Sequence, residues 1–309
     1  MIARRWKRSK SVSCTASQSS KAVYTGRFAP SPSGPLHLGS LTTALASYLV
    51  ARSADGRWLL RIDDIDGPRL QPGASAAIQA SLEAHGLLWD GSTVWQSHNL
   101  SRYQEAAERL MSANLAFYCR CSRAQLNSNA PYPGTCRDQR APLTDAAIRV
   151  RCLERTTQFA DGLQGAIRSD LGQTCGDFVI WRRDGLPAYQ LATAVDDGAA
   201  TITHVVRGND LLDITARQLH LMELLGLEAP RYTHVPVVVD ADQVKLSKRS
   251  GAAPLDDRQP GSNLRRALGL LGVPATALPD TQSPGELLEW AITGWQLQSL
   301  RGKRLLELQ

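Results

Sequence analysis

Residues 22–63 constrain the fold more tightly than any other stretch of the chain. A short apolar run, "AVYTGRFA" (22–29), leads through the crossing "PSPSGPLHLG" to an alanine-rich segment, "SLTTALASYLVARSADG" (40–56), and then to a second apolar run, "RWLLRID" (57–63). The outer runs read as buried strands, and the segment between them as a helix capped by Ser40 and stopped near Gly56. Strand, loop, helix, strand is a βαβ unit, which imposes parallel pairing and a right-handed crossover. The crossing is stiff. Pro30, Pro32 and Pro35 fix φ, while Gly34 and Gly39 permit sharp turns and close approach of a ligand to the backbone.

Two further helices are expected at 74–86 and 101–114. From about 117 to 200 the rhythm breaks into short strands such as "AIRVRCL" and "DFVIWRR", as an insertion would. The alternation resumes with "ITHVVRGNDLL" (202–212), a helix at 214–227 and "YTHVPVVVD" (232–240), and the last sixty residues look helical. The expectation is an α/β chain with two halves of a parallel-sheet domain at 22–116 and 201–250. An insertion occupies 117–200, and a small C-terminal helical region spans 251–309.

Charge narrows the partners less than the net value of +6 suggests. Residues 1–21 hold Arg4, Arg5, Lys7, Arg8, Lys10 and Lys21 and no acid, so the excess of 35 basic over 29 acidic side chains lies wholly in that segment. It is serine-rich and is expected to be a disordered basic tail. The body is formally neutral. No run has the apolar core of a secretory signal or the length of a membrane span, so a cytoplasmic protein is expected, with no membrane partner.

In an open parallel sheet, ligands bind beyond the carboxyl ends of the strands. The crossing lies there, and the helix start near Gly39 and Ser40 offers unpaired N–H groups for a phosphate, with His37 beside it as a donor. "KLSKR" (245–249) follows the last apolar strand and places Lys245 and Lys248 on one loop, where two ammonium groups can neutralise a pyrophosphate leaving group. Six cysteines stand at 14, 119, 121, 136, 152 and 175. The spacing C-x-C at 119–121 followed by Tyr132 and Cys136 could give a tetrahedral zinc set, and three neighbouring reduced thiols can equally be buried hydrophobes.

Taken together, "GRFAPSPSGPLHLGS", "RIDDID", "RRDGLPAYQLA", "VVRGNDLL" and "KLSKR" resemble the glutamyl branch of the class I aminoacyl-tRNA synthetases, with "HLGS" as the HIGH box and "KLSKR" as the KMSKS box. The likeness covers roughly residues 22–250. It implies a Rossmann-like catalytic domain that binds ATP with Mg²⁺ and activates L-glutamate. It assigns His37, Lys245 and Lys248 to catalysis; Pro32, Gly39 and Ser40 join His37 and Lys248 around ATP. Arg27, Ala29, Ser31, Asp63, Tyr189 and Arg207 fall at glutamate-binding positions, Asp63 standing where the family has a glutamate, one methylene longer. The family's zinc pattern implies one structural Zn²⁺ on Cys119, Cys121, Tyr132 and Cys136, with Cys14, Cys152 and Cys175 as ordinary thiols.

Only sixty residues follow Arg249, which leaves no room for the helical domains that read an anticodon. That resembles the stand-alone paralogues of the branch, which place glutamate on the queuosine base of tRNA(Asp). The resemblance implies that tRNA as partner, and a monomer. Two alternatives stay open: a truncated glutamyl-tRNA synthetase acting on tRNA(Glu), and a non-catalytic paralogue that binds glutamate or tRNA.

Overall fold

A computed structural model describes residues 23–126, 131–138, 144–152, 156–199, 202–246 and 251–308; the basic tail, Cys14 and Lys248 lie outside the described residues. The opening βαβ unit forms as its pattern predicts. Strand β1 (Thr25–Phe28) is buried along its length and runs parallel to β2 (Arg57–Ile62), with α1 (Leu38–Ser53) as the crossover. Helix α1 is apolar on nearly every face because it is covered on both sides: Leu41, Ala44, Leu45, Ala46 and Ala51 are fully buried between the strands and the C-terminal helices. Helix α2 (Ala74–Ala84) leads to the two-residue strand β3 (Val94–Trp95), which pairs parallel with the other edge of β2. Helix α3 (Leu100–Ser112) then buries Tyr103, Ala106, Ala107 and Leu110, one stripe at helical spacing.

From here the pairing turns antiparallel. Strand β4 (Ala116–Cys119) pairs with β5 (Ala147–Val150); β6 (Thr156–Asp161) and β7 (Gly165–Asp170) form a hairpin. After the one-turn helix α4 (Leu171–Thr174), β8 (Val179–Trp181) completes a three-stranded sheet in the order β4-β5-β8. Strands without an intervening crossover helix pair in this way, which is why the sequence loses its βα rhythm here.

Helix α5 (Tyr189–Ala199) brings the chain back, and β9 (His204–Gly208), α6 (Leu212–Leu225) and β10 (Arg231–Val235) make a second parallel unit. Just before β9, Thr203 donates its N–H to the Thr25 carbonyl at 2.9 Å, and its Oγ1 accepts the Thr25 N–H at 2.8 Å. The parallel strands therefore run in the order β3, β2, β1, β9, β10. Connections leave in opposite directions from β1 and β9, so the ligand-binding crevice of such a sheet opens between their carboxyl ends.

Two local differences from the sequence pattern have simple causes. Pro236 lacks the N–H a strand ladder needs, so the run expected at 232–240 divides into β10 and β11 (Val237–Val239). Helices α7 (Pro260–Leu270) and α8 (Pro284–Gly294) form as expected, but the chain ends in β12 (Leu305–Glu307), parallel to β11. Three residues carry too little periodicity to announce a strand.

The α7–α8 layer offers a direct test of packing. A Cβ on Gly261 would stand 2.1 Å from the Gln282 carbonyl oxygen, whereas one on Gly269 of the same helix meets nothing. Gly261→Ala is expected to cost about 1–3 kcal/mol in urea unfolding. Gly269→Ala is expected to match or slightly exceed the wild-type midpoint.

Candidate active site

The loop after β1 ends on His37, not Ser40. Helix α1 starts at Leu38, and His37 is its N-cap, in extended geometry at φ −125° and ψ 169°. The His37 Nδ1 accepts the Ser40 N–H at 3.3 Å, and the Ser40 Oγ accepts the His37 N–H at 2.8 Å. Ser40 is thus the reciprocal partner in a capping box, a correction to its expected role as the cap. Because Nδ1 accepts, the neutral ring carries its proton on Nε2. Sequence rules favour Ser, Thr, Asp and Asn as caps, so a histidine in this position is not flagged.

The two described flanks of the lysine loop come to the same place. Beyond β11 the chain turns through Gln243, at φ 61°, and folds back so that Lys245 bridges to Val239 and the Leu246 N–H donates to the Val238 carbonyl at 2.8 Å. Leu246 lies over Gly39: a Cβ there would be 3.5 Å from the Leu246 Cβ and 3.2 Å from the His37 ring. On the other flank Pro254 bridges to His37, and the Leu255 N–H donates to the Leu36 carbonyl at 3.0 Å. Both flanks of residues 247–250 therefore meet the His37 segment. Lys245 Nζ donates to Asp210 Oδ2 at 2.6 Å, tying the root of the loop to the turn after β9.

Beside this, β1, β2 and α5 converge on a buried charge cluster. Arg27 gives Nε and Nη2 to the two oxygens of Asp197, at 3.2 and 2.8 Å. Arg61 reaches Asp63 Oδ1 at 2.7 Å and Asp197 Oδ1 at 2.6 Å, with Asp196 at 3.6 Å. Tyr103 and Gln96 donate to Asp196 at 2.8 Å each. Burial opposes ionisation of Asp197, but Arg27 and Arg61 outweigh it and hold that carboxyl well below the usual range. For Asp63 burial wins over Arg61 and pushes the group up. Two guanidinium groups thus face three carboxylates, an arrangement short of one cation.

Sequence reasoning found Arg27 and Asp63 but missed Arg61, Gln96, Tyr103, Asp196 and Asp197. The signal was present in "LATAVDDGAA", where adjacent acids interrupt an apolar helix; such acids are rarely buried without partners.

Arg207, on β9, is 4% exposed. Its Nη2 donates to Thr215 Oγ1 at 2.7 Å and its Nε to His234 Nε2 at 3.1 Å, while Nη1 is buried without a partner among the described residues. Burial pushes the neighbouring Tyr232 phenol up, and Arg207, Asp197, Arg27 and Tyr189 all act on it electrostatically. Of these, Arg207 lies directly over the Tyr232 ring, its guanidinium carbon 5.1 Å from the centroid. At the exit of β1, Ala29 is half-buried, Ser31 exposed and Pro32 buried; the Pro30 carbonyl accepts the Asp63 N–H at 3.0 Å.

Away from the cleft, the Sγ atoms of Cys119, Cys121 and Cys136 lie within 4.8 Å of one another, a group that could hold a metal ion. The Tyr132 hydroxyl sits among them, at 3.5 Å from Cys119, 3.7 Å from Cys121 and 2.9 Å from the Cys136 N–H. Thiolates about 2.3 Å from a tetrahedral zinc stand roughly 3.8 Å apart, and Cys121 and Cys136 are 3.6 Å apart. The donors fit. Arg149 donates to Cys119 Sγ at 3.3 Å and lies over the Tyr132 ring at 4.2 Å, a cation placed to favour negative charge on both. Cys152 is buried and Cys175 partly buried, and burial pushes both thiols up.

The catalytic-domain pattern of the tRNA synthetases class I (E and Q) matches residues 23–278. The chain is 51% identical to the Glutamyl-Q tRNA(Asp) synthetase of Ectopseudomonas mendocina, over 93% of this chain and 98% of that protein. It is 50% identical to the Pseudomonas aeruginosa protein of the same name, over 88% and 93% respectively. Among solved structures, the glutamate–tRNA synthetase of Elizabethkingia anophelis shares the fold with a TM-score of 0.78 at 24% identity, covering 93% of this chain and 68% of that one. A chain that matches this catalytic-domain pattern over residues 23–278 and is this similar to those relatives belongs to the class I tRNA synthetases (E and Q), among the glutamyl-Q tRNA(Asp) synthetases.

Proposed function

We propose that this chain activates L-glutamate with ATP and transfers the glutamyl group to the queuosine base of tRNA(Asp). The observation that carries the reading is the seating of Leu246 on Gly39, which brings the lysine loop to the helix start expected to hold phosphates. The relatives' names supply the acceptor.

In the first step an oxygen of the glutamate α-carboxylate attacks the α-phosphorus of ATP. The new O–P bond replaces the bond to the bridging oxygen, and pyrophosphate leaves with that electron pair. A carboxylate is already ionised, so no base is needed; orientation and charge stabilisation supply the rate. His37 Nε2–H and the first N–H groups of α1 hold phosphate oxygens, with Pro32, Gly39 and Ser40 shaping the loop around ATP. Lys245 fixes the loop on Asp210, and Lys248 meets the departing pyrophosphate. Mg²⁺, when bound with ATP, neutralises part of the triphosphate charge. In the second step a queuosine hydroxyl attacks the acyl carbon and AMP leaves.

Arg207, through Nη1, together with Arg27, takes the side-chain carboxylate, because a guanidinium pairs with a carboxylate through parallel bonds and stays charged. The ammonium supplies the cation missing from the Arg27–Arg61–Asp63–Asp196–Asp197 cluster and meets Asp63, with Ala29, Ser31 and Tyr189 closing the pocket. Residues 22–116 and 201–250 are the catalytic halves, 117–200 the insertion and 251–309 the C-terminal region. A structural zinc on Cys119, Cys121, Cys136 and Tyr132 pins the insertion. The enzyme works as a cytoplasmic monomer; among the described residues no helix is long and apolar enough to cross a membrane.

Lys248→Ala is expected to slow glutamate-dependent ATP–pyrophosphate exchange by roughly 10²-fold or more, with glutamate affinity by equilibrium dialysis nearly unchanged. Exchange at the wild-type rate would remove this lysine from the mechanism. Run beside it, aspartate and glutamine are expected to support little exchange. For the metal, elemental analysis should find about one zinc per chain in the purified protein and a large loss in Cys136→Ser; a zinc-free wild type with freely alkylated cysteines would reject the site.

A further inference from the structure

Behind Arg207 lies a buried relay that joins the β6–β7 hairpin to β10. It begins on Asp161, at the tip of the β6–β7 hairpin. Asp161 Oδ1 accepts the N–H groups of Leu163 and Gln164 at 3.0 and 2.9 Å. Its Oδ2 lies 2.6 Å from His234 Nδ1 and accepts the His234 backbone N–H at 3.1 Å. Both side chains are fully buried. An ionised carboxylate only accepts, so His234 Nδ1 carries the ring proton and Nε2 is left as a lone pair.

That lone pair holds the substrate-facing arginine. Arg207 has donors only, and its Nε–H points at His234 Nε2 at 3.1 Å while Thr215 Oγ1 accepts Nη2–H. Thr215 Oγ1 lies 3.0 Å from the same Nε2; a proton on Nε2 would have that hydroxyl as its acceptor and would face the Arg207 Nε–H as donor against donor. Burial, assisted by the Arg207 charge, pulls the His234 pKa down against the opposing pull of Asp161, which keeps the ring neutral. Asp161 stays ionised: burial raises its pKa, but the His234 bond and the backbone donors of Gln164 and Leu163 lower it further. The result is a carboxylate and a guanidinium balanced across a neutral imidazole, with the Nη1 end of Arg207 unsatisfied.

We propose that Asp161 and His234 are positioning residues for substrate recognition: Asp161 fixes the His234 tautomer, and that tautomer supplies the acceptor that aims Arg207 at a substrate carboxylate. The proposal rests on the reading of Arg207 as a glutamate-binding residue. It gives a purpose to the one carboxylate of a hairpin that is otherwise tied to β10 through the Gly162 N–H on the Tyr232 carbonyl at 3.0 Å and Gln164 Nε2 on the His234 carbonyl at 3.1 Å. It also assigns the histidine of "YTHVP" a role in amino-acid binding without contact to the amino acid.

The test separates the relay from plain packing. In Asp161→Asn the amide oxygen can keep the backbone donors of the hairpin tip, which turns the NH₂ toward His234 Nδ1 and forces the proton to Nε2. The KM for glutamate in pyrophosphate exchange is expected to rise about tenfold or more, with the KM for ATP unchanged. The ¹⁵N imidazole spectrum is expected to show the buried ring switching from the Nδ1–H to the Nε2–H form. His234→Phe, without an acceptor, should repeat the kinetic effect, and His234→Gln, whose oxygen can take the Nε2 position, should recover part of the affinity. Equal glutamate KM in wild type and the folded Asp161→Asn or His234→Phe variants, or an unchanged tautomer, overturns the relay. Arg207→Ala serves as the reference: if it leaves the glutamate KM untouched, the reading of Arg207 itself falls. If it raises the KM while the relay variants do not, only the relay falls.

Discussion

Leu246 settles against the first turn of α1, 3.5 Å from where a Cβ on Gly39 would stand, and the rest of the crevice depends on that approach. The two loops are separated by more than two hundred residues, yet both flanks of residues 247–250 are bonded into the same structure: Leu246 to Val238 on one side, Leu255 to Leu36 on the other. The sheet makes this possible. Strands β1 and β9 are neighbours through Thr25 and Thr203, so the crossing after β1 faces the turn after β9 across the switch in strand order, and Lys245, beyond β11, is tied to that turn through Asp210. The His37 capping box then fixes the helix start, and with it the direction of the N–H groups that an anion would meet.

Charge in the crevice is handled by pairing. Arg27, Arg61 and Arg207 are each nearly inaccessible, and an isolated buried guanidinium would cost several kcal/mol if its donors were not taken up by Asp197, Asp63, Thr215 and His234. The pairing is incomplete in a directed way. Three carboxylates face two guanidinium groups on one side, and one guanidinium nitrogen is unsatisfied on the other. The proposed substrate, with an ammonium at one end and a carboxylate at the other, matches both in charge. Preorganised charges of this kind need no rearrangement when the substrate arrives.

The sequence carried the outline of this site for identifiable reasons. Proline and glycine punctuation at 30–39 marked the first crossing, and alternation of apolar runs with helical spacing marked both parallel units. The loops proposed to meet ATP stood out because they follow apolar strand runs. The supporting shell was not, since it depends on contacts across long stretches of chain: Arg61 meets Asp197, and Asp161 meets His234. "RIDDID" illustrates the limit. Asp63 is buried against Arg61, Asp64 accepts from the Ser97 N–H and hydroxyl, and Asp66 pairs with Arg182, three different roles for residues that look alike in the sequence. The cysteine positions were readable from spacing; Arg149 over Tyr132 was not.

Acylation of tRNA(Asp) from cells that make queuosine, set against the same tRNA from cells that do not, tests the account most directly. Radiolabelled glutamate should become attached only to the queuosine-bearing tRNA, by a bond that survives removal of the 3′-terminal adenosine. Labelling of both tRNAs alike, or of tRNA(Glu) at its 3′ end, would contradict it.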